Sequence, residues 1–183
     1  MKKALLTLVI LLMTTVGFSQ SLPKAGTIGL GIDGITGSPD ILMKVFLADR
    51  IAGQVMVGAK YDIQGGDEPL GQTKENGYEL RGGLGIYYHF TNTKVSPYIG
   101  IEGLYQASKE KGFYVTKPDT KSSVIAAAAF GAEYFLDKQF SVGIKESVGS
   151  QFDFKRDIGP DGQKENSSTK IYTNTVLTAR FYF

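Results

Sequence analysis

The sequence predicts an all-β fold, an eight-stranded antiparallel up-and-down transmembrane β-barrel, on three observations. First, Thr169 to Phe183 alternates to its last residue. Phe183, Phe181, Ala179, Leu177 and Ile171 share one face with Thr173 and Thr175, while Tyr182, Arg180, Thr178, Val176, Asn174, Tyr172 and Lys170 share the other. Phenylalanines on one side and an arginine on the other suit a wall with lipid outside and a polar interior, the inverse of a soluble strand. Second, runs of this kind recur about eight times, joined by connections that alternate short and long. Third, no segment reaches the ~18 apolar residues of a spanning helix, so any crossing must be made by a closed barrel.

Taken in order, the chain opens with Lys2 and Lys3, an apolar run from Ala4 to Met13 broken only by Thr7, and a more polar stretch to Ser19. The apolar part is about 13 residues at most, too short to span. Gly17 and Ser19 have the small-x-small spacing of a cleavage site. Residues 1–19 are therefore expected to be a cleaved signal peptide, in preference to a retained anchor, and residues 20–183 one barrel domain.

The strands follow. Thr27–Gly34 puts Ile28, Leu30 and Ile32 out; a tight turn over Thr36–Asp40 leads to Ile41–Ala48; Asp49-Arg50 turns the chain into Ile51–Ile63. A polar stretch, Gln64–Gly77, precedes Tyr78–Phe90, and the short Thr91–Lys94 turn leads to Val95–Ala107. Ser108–Lys121 reads as a second long charged loop, and Val124–Leu136, Asp137–Gln139 and Phe140–Phe154 as strand, turn and strand. Lys155–Ser168 is the third long loop before the terminal strand. Runs of roughly 9–13 residues match a tilted strand crossing a bilayer. The short turns then share the periplasmic end with both termini, and no second domain is expected.

Composition narrows the functions. Lys+Arg is 20 and Asp+Glu 18; loss of Lys2 and Lys3 with the signal leaves 18 against 18, so there is no charge argument for nucleic-acid binding. Cys 0 excludes disulfides and thiolate metal sites. The loops lack calcium-loop spacing, and no metal or cofactor is expected.

The phrases Ser96-Pro97-Tyr98-Ile99-Gly100-Ile101-Glu102-Gly103 and Gly131-Ala132-Glu133-Tyr134-Phe135-Leu136, with the terminal aromatic, resemble the small outer-membrane barrels of the OmpX and OmpA-transmembrane type, the "outer membrane protein beta-barrel domain" family. The resemblance covers nearly all of the chain beyond the signal. It implies residence in the cell outer membrane, contact with its lipid, and recognition by the barrel assembly machinery through Phe181 and Phe183. It implies no single activity, because that family is functionally mixed.

Ten charged residues are expected to face inward: Asp33, Lys44, Lys60, Asp62, Glu79, Arg81, Glu102, Glu133, Lys145 and Arg180. An eight-stranded barrel is just wide enough to be filled by side chains, so these read as a charge-paired polar network plugging the lumen. Lys60 and Asp62 on one strand can meet Glu79 and Arg81 on the next. The alternative is the lining of a narrow, low-conductance pore. Inward glycines, among them Gly29, Gly85 and Gly100, make room for Tyr87, Tyr98 and Tyr182. His89 is the one histidine, near the periplasmic turn, and no serine or acid is placed beside it by sequence, so no enzyme is expected.

In the second long loop Phe113 and Tyr114 are candidate contacts for an extracellular ligand. Strict alternation also places Glu146 among the lipid-facing residues, beside Ala128 by counting back from Asp137–Gln139. It reads as a tolerated lone carboxyl on a monomer or, alternatively, as a self-association patch hydrogen-bonded to a partner. The expected function is a structural or surface-interaction role in the envelope, such as integrity or adhesion. The rival from another class is a soluble periplasmic or secreted barrel that binds an apolar ligand, with its aliphatic face turned inward.

Overall fold

The computed structural model describes residues 23–34, 39–62, 77–91, 93–110, 119–154, 156–158, 163–165 and 168–183. Ten strands occur among them: β1 (Ile28–Asp33), β2 (Asp40–Ala48), β3 (Ile51–Asp62), β4 (Gly77–His89), β5 (Val95–Glu110), β6 (Asp119–Phe135), β7 (Phe140–Asp153), β8 (Arg156–Ile158), β9 (Gln163–Glu165) and β10 (Thr169–Tyr182). Eight of them close a barrel in the order β1-β10-β7-β6-β5-β4-β3-β2, and β8 and β9 pair separately. Every neighbour in the barrel is antiparallel, and β1 closes on β10 with Gly29 opposite Tyr182 and Gly31 opposite Arg180. No backbone edge is left open around the wall, the condition for standing in hydrocarbon.

Short connections gather at one end. Between β2 and β3 the chain turns over Asp49 and Arg50, after a register shift between Phe46 and Ala48. Between β6 and β7 the Asp137 carboxylate accepts from the backbone N–H groups of Gln139 and Phe140 at 2.7 and 2.6 Å, which holds the turn tight. Thr93 donates its hydroxyl to the Val95 carbonyl at 2.8 Å in the β4–β5 turn. The last strand is tied to the same end, where the Phe183 N–H donates to the Ile28 carbonyl at 2.9 Å.

The period-two pattern resolves into two opposite surfaces. Outward side chains such as Ile101 and Leu84 are 69 % and 65 % exposed, whereas Glu133 and Lys44 inside are 0 % and 1 %. Aromatic pairs mark the rim of the short-turn end: Tyr88 with Phe90, and Phe181 with Phe183, at 5.6 and 5.3 Å between ring centres. The floor of the lumen beside them is an apolar cluster of Phe46, Ala52, Phe135 and Tyr182. Three tyrosines cross the bore, each against a glycine. A Cβ at Gly29 would lie 2.5 Å from the Tyr182 ring, one at Gly100 2.5 Å from Tyr87, and one at Gly131 2.7 Å from the Tyr98 hydroxyl.

Three expectations about extent are corrected. The segment Ser108–Lys121 is not all loop, because β5 runs on to Glu110 and β6 starts at Asp119, giving strands of 16 and 17 residues. Ladder hydrogen bonds run between backbone groups and tolerate polar side chains, so charge there is a poor boundary marker. Lys155–Ser168 likewise contains a small hairpin, with Asp157 opposite Lys164. Asp40, expected in a turn, opens β2 opposite Asp33 and Gly58. Phe113 and Tyr114 lie outside the described residues, as does the proposed signal peptide.

Candidate functional site: the charged lumen

Among the described residues, six carboxylate, ammonium and guanidinium side chains are buried in the lumen: Asp33, Glu102 and Glu133 against Lys44, Lys145 and Arg180. Inward parity brings each there from a different strand, and together they form one connected chain. Lys44 holds Glu133 at 2.7 Å, and Arg180 lies between Glu133 at 3.5 Å and Asp33 at 3.3 Å. Lys145 joins Asp33 at 2.8 Å to Glu102 at 2.7 Å. Neutral donors complete the carboxylates. Ser141 and Tyr182 donate to Glu133, while Ser147 and Tyr87 donate to Glu102. Equal numbers of each sign, with hydrogen bonds to the remaining oxygens, are what a buried ionic cluster needs to offset its desolvation.

Farther from the short turns the lumen widens into a cavity of about 240 Å³ bordered by Asp33, Asp40, Glu79, Arg81, Glu102 and Lys145, with Tyr172 and Asn174 on its side. Arg81 bridges Asp40 at 3.0 Å and Glu79 at 3.4 Å. Across the β3–β4 hairpin, register sets Lys60 opposite Glu79, Asp62 opposite Gly77 and Arg81 opposite Gly58, and Arg81 also reaches Asp40 on β2. Lys60 is exposed at this outer end. The Lys145, Asp33 and Glu102 cluster forms the floor of the cavity.

His89 has more around it than its sequence neighbours suggested. Its Nδ1 lies 2.8 Å from the Ser96 hydroxyl and its Nε2 3.0 Å from the Lys44 ammonium. An ammonium can only donate, so Nε2 accepts and the ring hydrogen sits on Nδ1. That hydrogen is donated to Ser96, whose own hydroxyl donates onward to the Thr91 carbonyl at 3.1 Å. A serine activated as nucleophile needs the reverse, an imidazole nitrogen accepting its proton. The arrangement is a structural relay that ties the β4–β5 turn to the lumen.

Sequence reasoning missed Asp40, Ser96, Ser141 and Ser147. Serines carry no hydropathy signal, and only cross-strand register puts Ser141 and Ser147 within reach of carboxylates on other strands. Glu146 is a further correction. Its register partners are Phe130 and Thr175, while Ala128 stands opposite Val148. The Thr175 hydroxyl donates to the Glu146 carboxyl on the outer surface.

No protein-family model and no curated protein matches the chain. Solved structures do. The N-terminal β-barrel domain of Pseudomonas aeruginosa OprF superposes with a TM-score of 0.57 at 14 % identity, over 88 % of this chain and 100 % of that one. Neisserial surface protein A (NspA) gives 0.47 at 14 % identity, covering 86 % and 94 %; Ail of Yersinia pestis gives 0.45 at 12 %, covering 86 % and 95 %. At such identities the likeness speaks to fold. The apolar outer belt, the aromatic rim and the paired charges inside supply the physical setting, and with them the chain has the fold of the small eight-stranded outer-membrane β-barrels.

Proposed function

We propose that this barrel serves the envelope by holding an exposed β-hairpin at the cell surface, with its lumen closed to solutes. The observation that carries the reading is the length of β5 and β6, 16 and 17 residues, where a tilted strand needs only about 9–11 to cross. About six residues of each strand therefore stand clear of the bilayer, at the end away from the short turns. Export through the signal peptide at residues 1–19, and assembly guided by the outward Phe181 and Phe183 of the last strand, belong to the same proposal. So does the absence of catalysis, which the direction of the His89–Ser96 bond supports. If the last strand guides assembly, Phe183→Asp lowers outer-membrane yield; normal insertion of that variant would remove this part.

The test is to replace residues 108–121 by a short turn and compare cells for adherence to surfaces and resistance to detergent. A surface-interaction role predicts reduced adherence with an intact barrier. Unchanged adherence would overturn it. Planar-bilayer recording of the pure protein separates the pore alternative: the ion-paired floor predicts no stable openings of porin size.

A further inference from the structure

Among the described residues of the belt, register gathers polar side chains on the outer face at β7 and β10. Outward positions on β7 and β10 include Glu146, Ser150, Thr173 and Thr175, with Glu146 opposite Thr175, Val148 opposite Thr173 and Ser150 opposite Ile171. Elsewhere on the described wall between the aromatic rims, the outward residues are apolar or glycine. Glu146 is three outward positions from Phe140 and three from Phe152, so it sits midway across the belt. Thr175 satisfies one carboxyl oxygen. Hydrocarbon offers the rest of the patch no partner, and polar groups held at this depth mark a contact with something that does.

We propose that two copies of this chain pair in the membrane through the β7–β10 wall. All copies insert in the same direction, so a neighbour meets this one at equal depth. Its surface must then carry polar groups midway across the belt, and the second copy's own patch does. A two-fold axis along the membrane normal lays each Glu146–Thr175 pair against its equivalent, the isologous contact usual for homodimers. A carboxyl flanked by hydroxyls both accepts and donates, so the patch is complementary to itself.

The chain has no cysteine, so single cysteines report cleanly. Val148→Cys and, as a second reporter, Leu177→Cys are treated with a short bis-maleimide in native outer membranes. Val55→Cys, on the far side of the barrel, is the control. Heat-modifiable mobility confirms that each variant is a folded barrel before its cross-linking is scored. Pairing predicts covalent dimers from Val148 and Leu177 and none from Val55. It also predicts loss of the dimer to the control level with Glu146→Leu, and retention with Glu146→Gln, which keeps a donor and an acceptor. Monomer from folded Val148 and Leu177 reporters, equal cross-linking from Val55, or dimers indifferent to Glu146→Leu would overturn the proposal.

Discussion

The inner and outer faces of one wall hold their carboxyls in different ways. Glu133, fully buried, is surrounded by Lys44, Arg180, Ser141 and Tyr182 from three other strands. Glu146, on the opposite face of the adjacent strand, has the Thr175 hydroxyl. Inside, a group with no water must be met by protein from all sides, so its removal leaves charges stranded. Outside, a side chain at the surface of a barrel can be replaced by a hydrocarbon one without uncovering anything. The same residue type is thus structural on one face and dispensable for the fold on the other.

The largest effect is expected from Glu133→Ala. It strands Lys44 in the bore and leaves Arg180 with Asp33 as its remaining carboxylate, and breaking a buried pair from one side costs about 3–5 kcal/mol. Urea unfolding in lipid vesicles, followed by the gel-mobility shift, measures it; a loss below about 1 kcal/mol would mean that water reaches these charges. Next is Gly85→Val. A Cβ there would lie 2.7 Å from the Tyr87 hydroxyl. Overpacking of this kind costs about 1–3 kcal/mol, read in the same unfolding assay. The smallest is Glu146→Leu, measured at high lipid-to-protein ratio so that copies do not meet. Stability should change little or rise, since an outward acid at the midplane costs less than the ~2–4 kcal/mol of a basic residue. A destabilisation comparable to that of Glu133→Ala would erase the distinction between the faces.

Much of this division was legible from alternation alone. Period two separates Arg180 from Phe181 and Lys145 from Ile144 without any knowledge of neighbours, and the recurrence of such runs implies a closed wall. Partnerships were harder to read because they depend on register. Sliding one strand by two residues preserves every face and changes every contact. That is why counting from the turn sets Glu146 beside Ala128 when Phe130 is its neighbour, and why the contact of Arg81 with Asp40 on β2 is not readable from the sequence. The outer ends of β5 and β6 are obscured for another reason: residues 108–110 and 119–121 are polar at every position, so the hydropathy contrast that marks a strand vanishes. The charges near Lys109 and Lys121 then look like loop.

The most direct test of the account asks which face of the wall touches lipid. The chain contains no tryptophan, so a single one introduced at a chosen position is the only indole present. Ile101 and Tyr98 lie on β5 and point to opposite faces, one 69 % and the other 3 % exposed. In vesicles of brominated lipid, Ile101→Trp fluorescence should be strongly quenched and Tyr98→Trp fluorescence should not. Quenching at 98 without quenching at 101, or none at either, would contradict a barrel that stands in the membrane with its charged face inside.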